Sequence, residues 1–525
     1  MKKFKKWLKK DNHNKQLIKT ICAFAFPFLI CALHCLRLGG NLGDVYLANS
    51  QNNDDLFYFK QIEGMIEYGI PQGFFGFNES HAANLSFAAW SPLTLIVWAG
   101  WGTLFGFSIS SYYWCNIFFH GIALAFFTWQ AKPGVKQMIA AGILIGLFPG
   151  FSKYSLSCLV ETHMISYLIL FYGMAIGYVR KAKNWKLIGM FTLGVFLTCI
   201  RPYLVLLVFL PGIFVFMRKK IRSILLTGGL SAISVAGYFA ISKFFTAEYI
   251  TPLFDKSLFT RFIEEGFISG AKHMISGGMY FIRLLIEDMK QSFLTGKFLG
   301  SNYCVLFLLC ILLFVMFIGY FRRRKDTKSK MYAILYGHYI ATALISVVAL
   351  LVIMNKINEG SRHIISFIIV GFILVSFQKK WKELWRPLIP ALLILFLFYH
   401  YPDDGRDYQI PLCTQERYEE QQVWNTLLKD VEISENAPSF ENTVIWTFSD
   451  RVDGTMCYMD WQPILALPPG MGISCCQVEY LESNWDNLQS RYIFTDDNGQ
   501  VSAMCEAAGY KVVAEYDGTV LYQRY

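Results

Sequence analysis

Long apolar runs, separated by short polar stretches, dominate residues 1–402 of the chain. Several of these runs approach or reach the length of about 20 apolar residues that an α-helix needs to cross a bilayer. They are residues 17–36, 138–151, 224–240, 305–321 and 334–353. The composition agrees, because 54% of the residues are hydrophobic and only 16% are charged. The pattern predicts a polytopic α-helical membrane protein.

The positions of the basic residues predict how the chain is oriented. The start, MKKFKKWLKK, is strongly basic, and the long apolar run after it has no small-residue cleavage site. We therefore expect a retained first helix with a cytoplasmic N-terminus. By the positive-inside rule, the other basic clusters between apolar runs should also be cytoplasmic. They are Lys132 with Lys136, and residues 180–186, 218–222, 322–330 and 379–386.

Two spans must lie between successive basic clusters, which predicts about 11 transmembrane helices. The predicted spans are residues 17–36, 110–130, 136–152, 158–179, 186–199, 203–217, 223–243, 302–321, 331–354, 363–377 and 387–401. A further apolar segment, residues 85–107, would move every later basic cluster outside if it crossed. We therefore predict that it is a juxtamembrane helix of the outer leaflet, broken at Pro92.

This topology leaves two long outer loops, residues 39–109 and residues 244–301. The second loop interleaves apolar and charged residues at helical spacing, which predicts one or two amphipathic helices at the membrane interface. A packed piece of an ectodomain and a contact with lipid or acceptor are equally open interpretations of that loop.

Residues 403–525 form a tail that differs from the rest of the chain in charge. The tail has 21 acidic and 7 basic residues, whereas the whole chain has a net charge of +10. One helix (416–431) and four strands are expected in it from its composition and turn residues. The strands are residues 442–450, 490–498, 510–518 and 519–525. We predict a small α+β extracytoplasmic domain, in which five cysteines allow at most two internal disulfides.

The basic residues of the chain set its topology and give no indication of nucleic-acid binding.

The first outer loop carries two adjacent acids, Asp54 and Asp55, at the start of a predicted helix. A carboxylate in the first turn interacts favourably with the helix dipole and stays ionised. This placement fits a helix cap, and equally a general base at the membrane surface.

Glu161 lies near the outer end of the fourth predicted span, two residues before His163. An ionisable residue inside an apolar helix is costly and is a candidate for function. The alternative is a structural ion pair with Lys153 or Arg201. His163 alone gives only a weak indication of a metal site.

Three cations, Lys153, Arg201 and Arg362, lie at predicted outer ends of helices, against the general positive-inside trend. A guanidinium binds phosphate in a bidentate way, so a phosphate at the outer headgroup level is a candidate ligand. That phosphate would belong to a phospholipid or to a polyprenyl-phosphate carrier, and simple anchoring to lipid is the alternative. His163 and His81 complete the set of candidate substrate-binding and phosphate-binding residues.

These segments resemble the GT-C superfamily of membrane glycosyltransferases, which includes protein O-mannosyltransferases and the aminoarabinose transferases of lipid A. In that family an acidic pair with nearby aromatics follows the first span, as NDDLFYF does here. An outer-leaflet helix then opens on a Pro-Pro-Leu-like motif and closes on Leu-Phe-Gly, as SPLTLIVWAGWGTLFG does here. A second acid before the fourth span matches Glu161. Glu161 stands where relatives often have Asp, and Ser91 replaces the first Pro, so no subfamily is assigned.

The resemblance implies transfer of a sugar from a polyprenyl-phosphate donor, with the first acid, Asp54, activating the acceptor hydroxyl. We expect the transfer to invert the anomeric configuration and to take place on the outer face of the membrane. The acceptor would be an envelope glycan, a glycolipid or a protein. Asp55 and Glu161 are also candidates for holding a divalent cation, Mg²⁺ or Mn²⁺, by oxygen ligation. A flippase for lipid-linked glycans and a scaffold for envelope assembly are the alternatives.

Overall fold

The computed structural model describes residues 2–46, 54–71, 75–80, 91–217, 220–246, 256–295, 301–321, 327–350, 360–377, 385–399, 412–431, 433–434, 439–447 and 462–524. The protein is mostly helical, with 77% of it in helices. The helices of the part rich in apolar runs are α1 Lys2–Arg37, α2 Asp54–Tyr68, α3 Ile96–Phe105, α4 Ser111–Ala131, α5 Val135–Leu147, α6 Pro149–Ser155, α7 Glu161–Arg180, α8 Asn184–Ile200, α9 Leu206–Phe216, α10 Lys220–Phe245, α11 Lys256–Glu264, α12 Phe267–Thr295, α13 Ser301–Phe321, α14 Thr327–Val348, α15 Gly360–Ser376 and α16 Trp385–Ile394.

Helices form in each of the predicted spans. Four of them are long and apolar enough to cross a membrane on their own: His13–Arg37, Glu161–Arg180, Lys220–Phe245 and Lys330–Val348. Others, including α8, α9 and α15, form shorter apolar helices. The prediction of a membrane protein with several apolar helices is therefore confirmed. The number of about 11 spans and the direction in which each would cross remain predictions.

The predicted span 136–152 is broken into α5 and α6, which meet at an angle of 75°. The break falls at Phe148, which has an extended backbone (φ −89°, ψ 106°). Proline disfavours the helical conformation in the residue before it and is well suited to the first position of a new helix, so Pro149 accounts for the break.

A short helix follows Ser91 in the segment predicted to lie in the outer leaflet. A four-residue 3₁₀ turn, Pro92–Leu95, runs into the ten-residue α3, and the Ser91 hydroxyl accepts a hydrogen bond from the backbone N–H of Leu93. At 1.5 to 2 Å per residue this helix is shorter than the roughly 30 Å of a bilayer core. Residues 85–90 lie outside the described residues, so the non-crossing segment stays a prediction.

Helix α7 is the central helix of the bundle. In its most apolar stretch of 18 residues, 94% of the residues are buried. The helix packs against α4, α8, α14 and α15. A helix that is apolar on all sides belongs inside a protein, and its aromatic and aliphatic side chains satisfy that condition. The N-terminal end of this buried helix carries Glu161.

The C-terminal residues contain the helices α17 Gln415–Leu427, α18 Gln462–Ala466, α19 Val478–Asn484 and α20 Gln500–Ala507. They also contain most of a six-stranded sheet in the order β1-β3-β2-β4-β6-β5. Its strands are β1 Phe75–Phe77, β2 Thr443–Thr447, β3 Gly472–Cys476, β4 Tyr492–Asp496, β5 Lys511–Tyr516 and β6 Thr519–Gln523. Strands β1 to β4 are parallel, and β5 and β6 are antiparallel to their neighbours.

A helix and strands form within all five ranges predicted for the tail, and β3 is an additional strand. Strand β1 comes from the first outer loop and pairs in parallel with β3, from Phe75 opposite Ile473 to Phe77 opposite Cys475. That the tail is a separate extracytoplasmic domain remains a prediction. The described cysteines of the tail are free thiols, and Cys457 lies outside the described residues.

Two hydrogen-bonded contacts fix the first outer loop to the C-terminal residues. The Glu79 carboxylate accepts hydrogen bonds from the backbone N–H groups of Gln489 and Ser490 and from the Ser490 hydroxyl, at 2.7 to 3.1 Å. The fully buried Lys60 of α2 donates to the carbonyl oxygen of Leu467 at 2.6 Å. Because α2 also carries Asp54, the C-terminal residues help to position that acid.

Candidate active site

Helix α2 begins at Asp54 and Asp55, so both acids lie in its first turn. The rest of the helix is largely buried, and the Phe59 ring stacks on the Phe107 ring at a centroid distance of 4.8 Å. These apolar contacts hold α2 against the segment that contains α3. The two carboxylates are thereby presented to the N-terminal ends of other helices.

Asp54 forms an ion pair with Arg362, the third residue of α15. The distance from Arg362 Nη1 to Asp54 Oδ2 is 2.6 Å. The Arg362 side chain is 16% exposed and the Asp54 side chain is 13% exposed, so the pair is partly accessible. A cation in the first turn of a helix is unfavourable for the helix dipole, and the carboxylate of Asp54 compensates for it.

Glu161, the first residue of α7, is the centre of a buried polar network. Its Oε1 accepts a hydrogen bond from Arg201 Nη2 at 2.5 Å and lies 3.1 Å from His363 Nδ1. Arg201 also donates to the Tyr203 hydroxyl at 3.2 Å. Glu161 is 2% exposed and Arg201 is 1% exposed. The pairing with Arg201 that was left open as a structural alternative is the one that forms.

Both of these contacts fall on one oxygen of the Glu161 carboxylate. Among the described residues, none hydrogen-bonds to the other oxygen, Oε2. Arg201 lies at the end of α8, where its extended backbone (φ −137°, ψ 102°) precedes Pro202. Pro202 thus turns the chain at the level of Glu161 and places the guanidinium beside it.

Tyr58 lies in the electrostatic field of both ion pairs. It lies one turn after Asp54 on α2 and is 4% exposed. Burial raises the pKa of the Tyr58 hydroxyl well above its ordinary value, as do the nearby carboxylates of Asp54 and Glu161, while Arg362 and Arg201 lower it. Because Arg362 contacts Asp54 and its neighbour His363 lies 3.1 Å from Glu161, the two ion pairs belong to one site. The hydroxyl keeps its proton at neutral pH and can donate a hydrogen bond.

Asp55 is 1% exposed and connects α2 to the loop that leads into α7. Its Oδ1 accepts a hydrogen bond from the backbone N–H of Cys158 at 2.5 Å. Cys158 lies three residues before Glu161, so this bond holds the start of α7 next to the start of α2. Asp55 therefore positions the site in this structure.

The other predicted site residues lie in different surroundings. His163 is 1% exposed; its Nδ1 lies 3.4 Å from the carbonyl oxygen of Thr94, and its ring lies 4.1 Å from the Trp98 ring. It thus connects the Pro92–Leu95 turn and α3 to α7. Lys153 is a half-buried residue of the short helix α6. His81 lies outside the described residues.

The divalent cation considered for Asp55 and Glu161 has no cluster of ligands among the described residues. In the described parts of the chain, no group of three or more His, Cys, Asp or Glu side chains is arranged to hold a metal ion. A backbone N–H already occupies one oxygen of Asp55, and Arg201 and His363 share one oxygen of Glu161. We therefore derive no step through a metal.

Three members of the site were not predicted from the sequence as site residues: Tyr58, Tyr203 and His363. Each lies close in sequence to a residue that was predicted. Tyr58 is one helical turn after Asp54, His363 follows Arg362, and Tyr203 is two residues after Arg201. Proximity to a predicted charge was the available signal, but only the fold shows which neighbours face the site.

Comparisons with known proteins find no match to any family model and none among curated proteins. Among solved structures, the chain is similar to the oligosaccharyltransferase AglB of Archaeoglobus fulgidus, solved with an inhibitory peptide and a dolichol-phosphate. The TM-score is 0.49 at 11% identity, over 99% of this chain and 75% of that one. It is also similar to ArnT of Cupriavidus metallidurans bound to undecaprenyl phosphate, with a TM-score of 0.40 at 10% identity, over 96% of this chain and 98% of that one.

TM-scores below 0.5 at such identities are too low to carry a ligand, a reaction or a residue's role over to this chain. Both proteins are membrane glycosyltransferases of the GT-C superfamily. The NDDLFYF and SPLTLIVWAGWGTLFG segments of this chain resemble the same superfamily.

Proposed function

We propose that the protein is a glycosyltransferase that moves a sugar from a polyprenyl-phosphate donor to a hydroxyl acceptor. One observation supports this most strongly: Asp54, Glu161, Arg201 and Arg362 come from four separate segments and form two ion pairs that α15 brings together through Arg362 and His363. The site combines carboxylates, which can take a proton, with guanidiniums, which can hold a phosphate. Transfer of a sugar from a phosphate needs both kinds of group.

Asp54 acts as the general base in this proposal. The Arg362 guanidinium pairs with its carboxylate at 2.6 Å, and the 13% exposure of the Asp54 side chain leaves it within reach of a substrate. Asp54 accepts the proton of the acceptor hydroxyl while the acceptor oxygen attacks the anomeric carbon. The bond from that carbon to the phosphate oxygen breaks, and polyprenyl phosphate leaves. Attack from the face opposite the phosphate inverts the configuration.

Arg362 and Arg201 stabilise the phosphate as it gains negative charge. Guanidinium groups that are already oriented in a water-excluded site do not have to move when the phosphate gains charge. They therefore stabilise this charge more strongly than they would in water. Arg362 is the more accessible of the two and contacts the phosphate directly in this proposal. Arg201 is buried and acts through the charge that it holds next to Glu161.

Glu161 orients the acceptor or the sugar through Oε2, the oxygen that makes no hydrogen bond to a described residue. Arg201 and His363 fix the carboxylate through its other oxygen. A carboxylate held in this way accepts a hydrogen bond from a sugar hydroxyl without moving.

We propose that the site lies on the outer face of the cell membrane. This follows from the predicted topology, in which the N-terminus is cytoplasmic and the C-terminal residues are extracytoplasmic.

The proposal is tested by transfer from a radiolabelled polyprenyl-phosphate sugar in membranes that contain the full-length protein. We expect Asp54→Asn to lower the rate by about 10²–10⁴-fold, the usual contribution of a general base. Glu67→Gln is the matched control, because Glu67 is an exposed acid on the same helix. Full activity of Asp54→Asn would remove the base. Movement of an intact fluorescent lipid-linked glycan across proteoliposomes, with no sugar transferred, would favour a flippase.

A further inference from the structure

An apolar cavity of about 740 Å³ lies between α1, α4, α5 and α15. Its walls include Ala23 and Phe26 of α1, Ala141 and Gly142 of α5, and Ile373 of α15. No residue of the candidate active site lines it. The volume falls within the range of about 300–1,000 Å³ that is usual for ligand sites.

The cavity exists because α5 presents small residues towards α1. A Cβ atom added at Gly142 would lie 3.3 Å from the Phe26 ring, and one added at Gly146 would lie 3.1 Å from the Ile30 side chain. The two helices therefore pack closely at these glycines, and Ala141 lines the cavity beside them. An empty apolar space lacks dispersion contacts on its inner side, so an apolar chain entering it is stabilised.

Basic residues surround one end of the cavity. Lys19 lines the cavity itself, and its ammonium donates a hydrogen bond to the carbonyl oxygen of Pro133 at 2.9 Å. An ammonium has three donors, so this contact leaves capacity for an anion. Lys132 is exposed and directly precedes Pro133, which also lines the cavity.

The polar side chains at this end are otherwise engaged within the protein. The Gln137 amide donates to the carbonyl oxygen of Phe377 at 2.7 Å, and the Gln16 amide donates to that of Thr128 at 2.8 Å. The ammonium groups of Lys19 and Lys132 are therefore the donors that we assign to a ligand. Both lie at the end of the bundle that is predicted to be cytoplasmic, where the inner leaflet carries anionic lipid.

We infer that this cavity binds an anionic phospholipid of the inner leaflet, with one acyl chain inside and the phosphate at the lysines. The apolar walls fit the chain, and the basic rim is complementary to the headgroup charge. The site is separate from the candidate active site, so it does not depend on the proposed transfer reaction.

The test measures phosphatidylglycerol bound to the purified full-length protein by native mass spectrometry, with phosphatidylcholine of the same acyl chains as reference. Lys19→Gln and Lys132→Gln should each weaken the binding of phosphatidylglycerol about fivefold. Ala141→Phe fills the cavity and should abolish binding, and the milder Ala141→Leu should reduce it. Arg222→Gln and Ile224→Phe are matched controls on α10, exposed and away from the cavity, and should bind as the unchanged protein does.

Three results would overturn the inference. Equal binding of phosphatidylcholine would show that the negative charge of the headgroup does not contribute to binding. Unchanged binding by Ala141→Leu and by a folded, monodisperse Ala141→Phe would place the lipid elsewhere. Displacement of phosphatidylglycerol by undecaprenyl phosphate at equal concentration would assign the cavity to an isoprenoid chain.

Discussion

Replacing Arg201 by glutamine should leave a buried carboxylate without its main counter-charge. Glu161 and Arg201 are 2% and 1% exposed, and their charged atoms are 2.5 Å apart. Breaking a buried pair by removing one partner costs about 3–5 kcal/mol, because the remaining charge stays desolvated. His363 still lies 3.1 Å from the same carboxylate oxygen. We therefore expect Arg201→Gln to lose about 3 kcal/mol of folding free energy, the lower end of that range.

Removing both charges should cost much less than removing one. In Glu161→Gln with Arg201→Gln, two neutral amides replace the ion pair and can still hydrogen-bond to each other. Replacing a buried ion pair as a whole is often nearly neutral for stability. The double variant should therefore be more stable than Arg201→Gln alone, with a coupling energy of about 1–3 kcal/mol between the two positions.

The assay is denaturant unfolding of the purified protein in mixed micelles, followed by tryptophan fluorescence, for all four members of the cycle. Strictly additive losses would refute the argument, since they would mean that the two side chains do not share one buried interaction. Sugar transfer measured on the same samples separates structure from function. If the pair is only structural, the folded double variant transfers sugar normally; if Glu161 or Arg201 takes part in the reaction, the double variant folds and is inactive.

Three further predictions concern other parts of the protein. Asp54→Asn should lower the initial rate of transfer by about 10²–10⁴-fold while Glu67→Gln does not, and equal rates for the two variants would contradict the role of Asp54. Glu79→Gln should destabilise the contact between the first loop and β4 by about 1.5–3 kcal/mol, because its hydrogen bonds are made to a charged group; limited proteolysis that is no faster than in the unchanged protein would argue against this. In a cysteine-free background, an impermeant maleimide should label Ser108→Cys in intact cells and Lys132→Cys only after permeabilisation; labelling of both from one side would overturn the topology.

The positions of helices could be predicted from the sequence because membrane spans depend on local composition. A run of about 20 apolar residues is enough to predict a membrane-spanning helix, and α1, α7 and α10 form where such runs lie. Strands of the tail were predictable for a similar local reason, their β-branched and aromatic content. Strand β1 was not, because the three residues FGF carry no strand signal until β3 lies beside them.

The site was only partly predictable, because it is made of contacts between residues far apart in sequence. Buried charge in an apolar chain identified Asp54, Glu161, Arg201 and Arg362, since such residues need partners wherever the chain folds. The sequence could not say which cation would pair with which acid, and the 308 residues between Asp54 and Arg362 carry no local signal. Tyr58 and His363 are common residue types whose role depends on the direction in which they point.

The pairing of β1 with β3 has a consequence for how the protein is made. Glu79 and its partner Ser474 are separated by 395 residues, so the first loop leaves the ribosome long before its partner strand exists. At about 5–20 residues per second, that interval lasts roughly 20–80 s. During this time Lys60, Glu79 and the edge of β1 have none of their C-terminal partners, and helix α2 lacks the contact between Lys60 and Leu467 that helps to position Asp54. The surroundings of the candidate site are therefore completed only after residues 467–490 have been synthesised.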